Sequence, residues 1–342
     1  MHTKLRWGII GAGRISRKFA AAVRESNQAV LQAVASRDAE RAARLAADLG
    51  AAYAHDSYDA LLADDTVDAV YLALPNSMHA EWAMSAAAAG KHVLCEKPLA
   101  LSAPEAQAMF ATAREHQVWL IEGYMYRFHP RTLRLGQLLQ EGAIGDVRLV
   151  RLGFSFTLDR PEDTRWKAEY GGGSLRDVGS YCVNLARYVI GEAPSRVSAV
   201  AHWAPGGVDE TLAATLEYPN GAIAQIACSF GGGFQQQAQI VGRDGLIEID
   251  QAFTMHPDQE TRLRIWRGTQ MAPLHEERFA PTNHYRLEVE GFGRLIRAGH
   301  GPHGLTEMPL VETLQNLHTI DALLESARQG QAVRVITTYE RE

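Results

Sequence analysis

One stretch decides the fold of this chain: Trp7-Gly8-Ile9-Ile10-Gly11-Ala12-Gly13-Arg14-Ile15-Ser16. It joins an apolar, strand-like run at 5–10 to the helix-like pattern that follows the glycines. Gly11 permits a tight turn, and Gly13 lets another group approach the backbone closely. Ser16 stands where such turns usually carry a third glycine. The stretch therefore predicts a strand, a tight turn and a helix in direct succession.

Outward from this turn, the first third of the chain alternates strand-like and helix-like segments. The predicted strands are 5–10, 30–35, 51–54, 69–74, 92–95 and 119–122, and the predicted helices are 15–25, 39–49, 58–62, 79–89 and 104–116. Such alternation implies a parallel sheet with helices on both faces. We predict an α/β domain of the Rossmann type over residues 1–123.

The pattern changes after Tyr124, where strand-like segments become dominant. The predicted strands are 147–156, 196–203, 212–218, 222–230, 237–241 and 246–249, and the predicted helices are 130–140, 174–189 and 309–327. Arg243-Asp244-Gly245 is a hairpin signal between the last two strands. We predict an α+β domain over 124–342, with one large, mostly antiparallel open sheet.

Composition excludes several classes of function. A net charge of −6 over 342 residues gives no sign of nucleic-acid or membrane-surface binding, and the apolar runs are too short to span a bilayer. Three isolated cysteines, Cys95, Cys182 and Cys228, predict neither a disulfide framework nor a metal site. No apolar signal segment precedes the first predicted strand, so we expect a cytoplasmic protein.

The glycine turn favours a dinucleotide whose pyrophosphate lies at the helix start, where Arg14 and Ile15 follow. The alternative is a tight turn without a ligand. The second strand ends at Ser36 and Arg37, where NAD sites usually carry an acidic residue. A hydroxyl and a guanidinium favour the 2′-phosphate of NADP, although NAD remains possible. Arg37 could instead be a solvated charge, and Asp38 could cap the next helix.

Two further strand ends carry polar residues. One reads Leu74-Pro75-Asn76 with His79 nearby, and the next reads Cys95-Glu96-Lys97-Pro98. Ligands of open parallel sheets bind beyond the carboxyl ends of the strands, so these residues are candidates for a cofactor site. The alternative for Glu96 and Lys97 is an ordinary ion pair in a loop.

A third group follows three consecutive glycines at 171–173. Asp177 and Tyr181 are four residues apart and share a face of the predicted helix. The pattern alone favours a packing role for Tyr181 and a capping role for Asp177. The glycines allow a close approach by another segment or a ligand.

Taken together, these motifs resemble the glucose-fructose oxidoreductase/inositol dehydrogenase (Gfo/Idh/MocA) family over essentially the whole chain. The matching pieces are Gly-Ile-Ile-Gly-Ala-Gly-Arg-Ile, Pro75-Asn76 with His79, Glu96-Lys97-Pro98 and Asp177-x-Gly179-x-Tyr181. Many members have histidine at the position of Tyr181. The tyrosine, like the segment 122–130, resembles the branch of dimeric dihydrodiol dehydrogenase, NADP-dependent D-xylose dehydrogenase and glucose-fructose oxidoreductase.

The resemblance implies hydride transfer between NADP and a carbon bearing a hydroxyl or carbonyl on a sugar, polyol or dihydrodiol. It implies Lys97 and Tyr181 as the catalytic pair, Glu96 and Asn76 near the nicotinamide ribose, and Asp177 near the substrate. A tyrosine of pKa about 10 is a poor base near neutral pH, and a nearby ammonium would lower that pKa by about 1–3 units. The pair is therefore expected to converge on one face of the nicotinamide, although Lys97 could itself carry the proton.

Several expectations are less specific. Arg127, His129 and Trp166 are candidate substrate contacts, and Phe154 and Phe156 are candidate walls that could equally be sheet packing. A reductase of keto-sugars, including nucleotide-linked ones, and a non-catalytic NADP-sensing regulator are alternative functions. The resemblance also implies a homodimer or homotetramer built through the open face of the second sheet.

Overall fold

The computed structural model describes residues 4–268, 275–299 and 308–336. The chain divides into two compact units, Met1–Phe128 with Asn283–Leu310, and His129–Thr282 with Val311–Glu342. The chain therefore returns to the first unit after forming most of the second. The predicted division between residues 123 and 124 did not include that return.

Within the described residues, the first unit contains a parallel sheet of six strands in the order β3-β2-β1-β4-β5-β6. The strands are β1 (Leu5–Ile10), β2 (Ala29–Ala35), β3 (Tyr53–His55), β4 (Ala69–Leu72), β5 (His92–Glu96) and β6 (Leu120–Gly123). This order confirms the Rossmann-type α/β fold. Strands β2 and β3 lie on one side of β1, and strands β4 to β6 lie on the other. Sheets with this topology bind ligands beyond the carboxyl ends of the strands, at the point between β1 and β4 where the strand order changes sides.

The connecting helices lie close to where the sequence places them. They are α1 (Arg14–Glu25), α2 (Ala39–Leu49), α3 (Tyr58–Leu62), α4 (His79–Ala88) and α5 (Ala103–Glu115). The core between sheet and helices is aromatic: Phe19 stacks on Tyr71 with ring centres 3.8 Å apart, and the ring of Trp7 meets Phe19 edge-on at 5.0 Å. All three side chains are fully buried.

The second unit confirms the predicted large, mostly antiparallel sheet. Among the described residues it has nine strands in the order β14-β13-β12-β11-β7-β10-β9-β8-β15, and only β7 and β10 pair in parallel. The strands are β7 (Val147–Thr157), β8 (Arg196–Trp203), β9 (Asp209–Glu217), β10 (Ile223–Ser229), β11 (Gly231–Gly242), β12 (Gly245–Asp250), β13 (Thr261–Arg267), β14 (His275–Phe279) and β15 (Val333–Arg334). Strands β13, β14 and β15 were not predicted from the sequence.

The described residues contain four further α-helices: α6 (Pro130–Gln140), α7 (Ser180–Ile190), α8 (His284–Ala298) and α9 (Leu310–Gln329). Helix α8 was not predicted, because Gly291 and Gly293 interrupt its pattern and lower its helix propensity. It packs in the first unit, where Phe292 lies 5.5 Å from Trp7 between ring centres. Over the ranges that the structure describes, no helix is long and apolar enough to cross a membrane.

Candidate active site

In the turn after β1, packing requires a glycine at position 11 but not at position 13. Gly11 has φ +107°, and a Cβ there would lie 2.4 Å from the carbonyl oxygen of Ala73. Ser16 is fully buried and donates from Oγ to the Gly11 carbonyl at 2.8 Å, so the serine closes the turn. A Cβ on Gly13 would meet its nearest neighbour at 3.8 Å, an ordinary contact. Packing within the chain therefore does not require Gly13 to be glycine.

The N-terminus of α1 presents the turn to solvent. Gly13 is the N-cap residue, and Gly13 and Arg14 are exposed, while Ile15 is partly buried. At the end of β2, Ser36 is 6% exposed and Arg37 is exposed. Asp38 caps α2, its carboxylate accepting from the Arg41 backbone N–H at 2.7 Å, which confirms the capping alternative. That carboxylate is thus engaged in the helix start.

His79 links the two polar strand ends from inside the protein. The ring is fully buried, with Nδ1 2.9 Å from the Pro98 carbonyl oxygen and Nε2 3.0 Å from that of Leu74. Burial lowers the pKa of His79. Leu74 also lies beside the glycine turn, since a Cβ on Gly11 would be 3.2 Å from its Cδ2. His79 therefore connects the segment that follows β4, which carries Pro75 and Asn76, to the segment that follows β5.

The loop that carries Lys97 is fixed by buried polar groups. The Tyr71 hydroxyl donates to Glu96 Oε1, and Glu122 Oε1 accepts from the Leu99 backbone N–H at 2.9 Å. Glu288 of α8 is 1% exposed, and burial together with the charge of Glu96 raises its pKa well above the usual range. Burial and the charge of Glu96 thus both disfavour the ionised form of Glu288.

Sequence reasoning missed Tyr71 and Glu288. Tyr71 is the only hydroxyl-bearing residue of an otherwise apolar strand, Ala-Val-Tyr-Leu, which is a signal that the pattern contained. Glu288 lies in the helix that was not predicted, 192 residues after Glu96, so no local pattern connects the two.

The segment that carries Asp177 and Tyr181 is not a uniform α-helix. It begins with a π-helical turn at Leu175–Gly179 and continues as α7. The prediction of one α-helix over 174–189 was wrong here, because a π turn contains one extra residue and is set by contacts around it. Asp177 and Tyr181 were placed on one face because residues four apart are neighbours in an α-helix.

Tyr181 is held by two aromatic rings of the second unit. Its ring centre lies 5.6 Å from that of Phe154 and 5.6 Å from that of Phe253, and these two phenylalanines stack at 5.4 Å. The side chain is 5% exposed. Phe154 thus packs against the candidate catalytic residue itself. This packing restricts the rotamers of the phenol.

Asp177 is paired with an arginine that sequence reasoning did not single out. Arg165 donates to Asp177 Oδ2 at 3.0 Å and binds Asp163 through two nitrogens at 2.9 and 3.0 Å. Its guanidinium lies 5.3 Å from the ring centre of Phe156. Trp166 follows and meets Phe230 edge-on at 5.2 Å. Asp163, Arg165 and Asp177 together carry one net negative charge.

Two of the predicted substrate contacts are almost completely buried. Arg127 is 2% exposed, with a terminal nitrogen 2.7 Å from Met308 Sδ. His129 is 1% exposed and caps α6, its Nδ1 accepting from the Arg131 backbone N–H at 3.1 Å. A substrate contact by Arg127 or His129 stays a prediction. Within the described ranges, no group of three or more His, Cys, Asp or Glu side chains is placed to hold a metal ion.

The His129 cap makes a prediction about acid stability. Burial, and then the charge of Arg131, lowers the pKa of His129 from 6.5 to about 4. As the pH falls, the imidazole of His129 is therefore protonated in the unfolded chain before it is protonated in the folded protein. The contribution of the neutral His129 to the free energy of unfolding is complete above pH 6.5 and is lost as the pH falls to about 4. This loss of free energy of unfolding is about 3 kcal/mol. In urea titrations across this range, His129→Asn, which can still cap, should lose less stability with acid than the wild type. Parallel pH profiles of the two proteins would contradict the assignment.

Comparison with known proteins identifies the family of the chain. Residues 5–124 match the oxidoreductase family with an NAD-binding Rossmann fold, and residues 132–248 match the GFO/IDH/MocA C-terminal domain. The D-xylose 1-dehydrogenase (NADP(+)) 2 of Haloferax volcanii is 39% identical over 333 residues, covering 97% of this chain and 100% of that protein. The trans-1,2-dihydrobenzene-1,2-diol dehydrogenase of Mus musculus is 32% identical over 341 residues, covering 96% and 97%.

A solved structure extends the comparison to three dimensions. A 3-ketoreductase from Actinomadura kijaniata, in complex with NADP and TDP-benzene, matches with a TM-score of 0.85 at 30% identity, covering 95% of this chain and 98% of that chain. The fold, the glycine turn and these similarities define a dinucleotide-binding oxidoreductase. The chain belongs to the Gfo/Idh/MocA oxidoreductase family.

Proposed function

We propose that this protein transfers a hydride between NADP and a hydroxyl- or carbonyl-bearing carbon of a sugar, polyol or dihydrodiol. The observation that carries the proposal is the end-to-end similarity to an NADP-dependent D-xylose dehydrogenase. The dihydrodiol dehydrogenase and the 3-ketoreductase support the same reaction class.

The cofactor fits the first unit on the evidence of its glycine turn. A Cβ on Gly13 would meet the chain only at an ordinary contact distance of 3.8 Å, and this glycine lies at the N-terminus of a 12-residue helix. Backbone N–H groups at such a helix start bind phosphates. Ser36 and Arg37 would hold the 2′-phosphate, and Glu96, oriented by Tyr71, would accept from ribose hydroxyls. When bound, the nicotinamide supplies or receives the hydride.

The proton is handled by side chains of this protein. Tyr181 accepts the proton of the substrate hydroxyl during oxidation and returns it to the carbonyl oxygen during reduction. The Lys97 ammonium stabilises negative charge on the oxygen atoms involved. Asp177, oriented by its hydrogen bond from Arg165, accepts from a substrate hydroxyl. The convergence of Lys97 and Tyr181, and the choice between them as proton carrier, remain part of the proposal.

Cofactor choice is tested at Arg37. Arg37→Ala is expected to lower kcat/KM for NADP by about 10–100-fold while changing the value for NAD by less than about threefold, since the fork of an arginine matches a phosphate. The measurement is kcat/KM with each cofactor at one saturating substrate concentration. Arg41→Ala, which removes a neighbouring exposed cation on α2, is the matched control. An NADP-to-NAD ratio unchanged by Arg37→Ala would remove this residue from the phosphate site.

Reduction of a nucleotide-linked keto-sugar is the second candidate, because the solved relative holds TDP-benzene. Charge around Asp177 opposes it for this chain. Arg160 pairs with Asp163 at 3.1 Å, and Arg165 with Asp163 and Asp177, so these cations are already engaged by carboxylates. The formal charges of these two arginines and two carboxylates sum to zero, so the four groups offer a diphosphate no uncompensated positive charge. We therefore favour an uncharged substrate.

A screen separates these functions. NADP reduction is measured with aldoses, inositols and dihydrodiols, and NADPH oxidation with free and nucleotide-linked keto-sugars. Turnover only with nucleotide-linked substrates would replace the first proposal with the second. NADPH binding without turnover of any of these substrates would favour the sensing regulator. Homodimeric or homotetrameric assembly and a cytoplasmic location stay predictions.

A further inference from the structure

Asp209, at the start of β9, lies beneath the segment that carries Asp177 and Tyr181. Its side chain is 2% exposed. Its Oδ2 accepts from the Ser174 hydroxyl at 2.7 Å and from the Leu175 backbone N–H at 2.6 Å. Leu175 is the first residue of the π turn, so a single carboxylate oxygen fixes the point at which that turn begins.

The three consecutive glycines allow the backbone to reach this carboxylate. Gly173 has φ +113°, and a Cβ there would lie 2.2 Å from Asp209 Oδ1. Its N–H donates to the Arg165 carbonyl at 2.9 Å. A Cβ on Gly172 would lie 2.3 Å from that same carbonyl oxygen. The glycine loop is therefore fixed between Asp209 and the backbone of the arginine that pairs with Asp177.

The other end of the π turn is also in close contact with the sheet. A Cβ on Gly179 would lie 2.9 Å from Cys228 Sγ of β10 and 2.8 Å from Leu175 Cδ1. π-Helical turns are rare and are often found at functional sites. This turn is anchored at its start by β9 and meets β10 at its end, and Tyr181 follows two residues later.

We propose that Asp209 is a positioning residue, which sets the orientation of Asp177 and Tyr181 by fixing the start of the π turn. The inference rests on the proposed function, because it assigns roles to those two side chains. Burial raises the pKa of Asp209, whereas the hydrogen bonds from Ser174 and Leu175 oppose that rise. A buried carboxyl is costly to fold, and a precise position for the residues it holds explains its presence.

The test compares two substitutions of Asp209. Asp209→Asn keeps a side-chain oxygen that can accept both hydrogen bonds, whereas Asp209→Ala keeps none. We expect kcat to fall about 10–100-fold in Asp209→Ala and less than about threefold in Asp209→Asn, because a displacement of about 1 Å in a reacting group has effects of this size. NADPH affinity, measured by fluorescence, should be unchanged in both. Hydrogen exchange at the Leu175 amide should accelerate in the alanine variant and be retarded again in the asparagine variant.

A matched control separates positioning from stability. Ser326 is 1% exposed in the same unit, accepting from the Ala199 N–H at 2.9 Å and donating to the Gln331 carbonyl at 2.6 Å. Ser326→Ala should lower the unfolding temperature without changing kcat. If Asp209→Ala does not fold, Ser174→Ala, which removes one of the two hydrogen bonds, should lower kcat by about 3–10-fold.

A normal kcat in a folded Asp209→Ala protein would overturn the proposal, even if the unfolding temperature falls. If Asp209→Ala does not fold, a normal kcat in Ser174→Ala would overturn it. A wild-type protein that binds NADPH but turns over no sugar, polyol or dihydrodiol would instead overturn the proposed function. In that case the exchange rate at Leu175 still tests the anchoring, and an unchanged rate in Asp209→Ala would refute it.

Discussion

Replacing Tyr181 by phenylalanine is expected to lower kcat by about 10²–10⁴-fold while leaving NADPH binding intact, because the substitution removes one hydroxyl that exchanges the proton. The aromatic packing against Phe154 and Phe253 remains, since phenylalanine keeps the ring that they contact. The measurement is steady-state kcat with the best sugar substrate, together with NADPH affinity from fluorescence. Stability should change little, so the loss belongs to the chemical step.

The same helix offers a control. Tyr188 is also a tyrosine and lies seven positions after Tyr181. Its hydroxyl donates to the Thr132 carbonyl at 3.3 Å. Tyr188→Phe should retain kcat within about twofold, since this tyrosine is not one of the residues proposed to exchange the proton. Turnover close to that of the wild type in Tyr181→Phe would exclude Tyr181 from the mechanism.

The pair Lys97 and Tyr181 is then tested together. If both act on the same proton, Lys97→Met combined with Tyr181→Phe should be little worse than the more damaging single variant. Losses that multiply would mean that the two residues serve separate steps. If Lys97 alone carries the proton, Lys97→Met should lose turnover while Tyr181→Phe retains most of it.

Arg131→Ala is expected to lower the free energy of unfolding by about 3–5 kcal/mol. Arg131 is 1% exposed, and its terminal nitrogens donate to the backbone carbonyls of Asp250, Gln251 and Ala252 at 2.9, 3.0 and 2.9 Å. Burial lowers the pKa of Arg131 to about 9, so the guanidinium is still protonated near neutral pH. Its removal leaves three carbonyls without these donors and leaves space in the interior.

The next turn of α6 supplies the matched control. Arg134 pairs with Glu277 at 3.0 Å and with Glu141 at 3.1 Å, partly exposed to solvent. Arg134→Ala should cost about 1 kcal/mol or less, because solvent screens such pairs. Both values come from urea titrations of the two variants and the wild type. An equal decrease in the free energy of unfolding in the two variants would show that the buried Arg131 guanidinium stabilises the protein no more than the partly exposed Arg134.

The sequence by itself determined the features that depend on neighbours along the chain. It predicted the strand, glycine turn and helix at the start, and it placed α2 at Ala39–Leu49 with Asp38 as a possible cap. The identity of the family also followed from short motifs at strand ends. Steric limits on φ, helix capping and side-chain periodicity act over a few residues, so a local stretch contains what is needed to infer them.

Only the tertiary structure decided how the candidate site is supported. Arg165 donates to Asp177, Tyr71 donates to Glu96, and the Leu175 N–H donates to Asp209. Asp209 and Leu175 are 34 residues apart, and neither the contact nor the π turn that it anchors has a signature in local periodicity. Such contacts depend on which strands become neighbours in the folded sheet. That arrangement is set by burial of the whole core, so no single stretch of sequence specifies it.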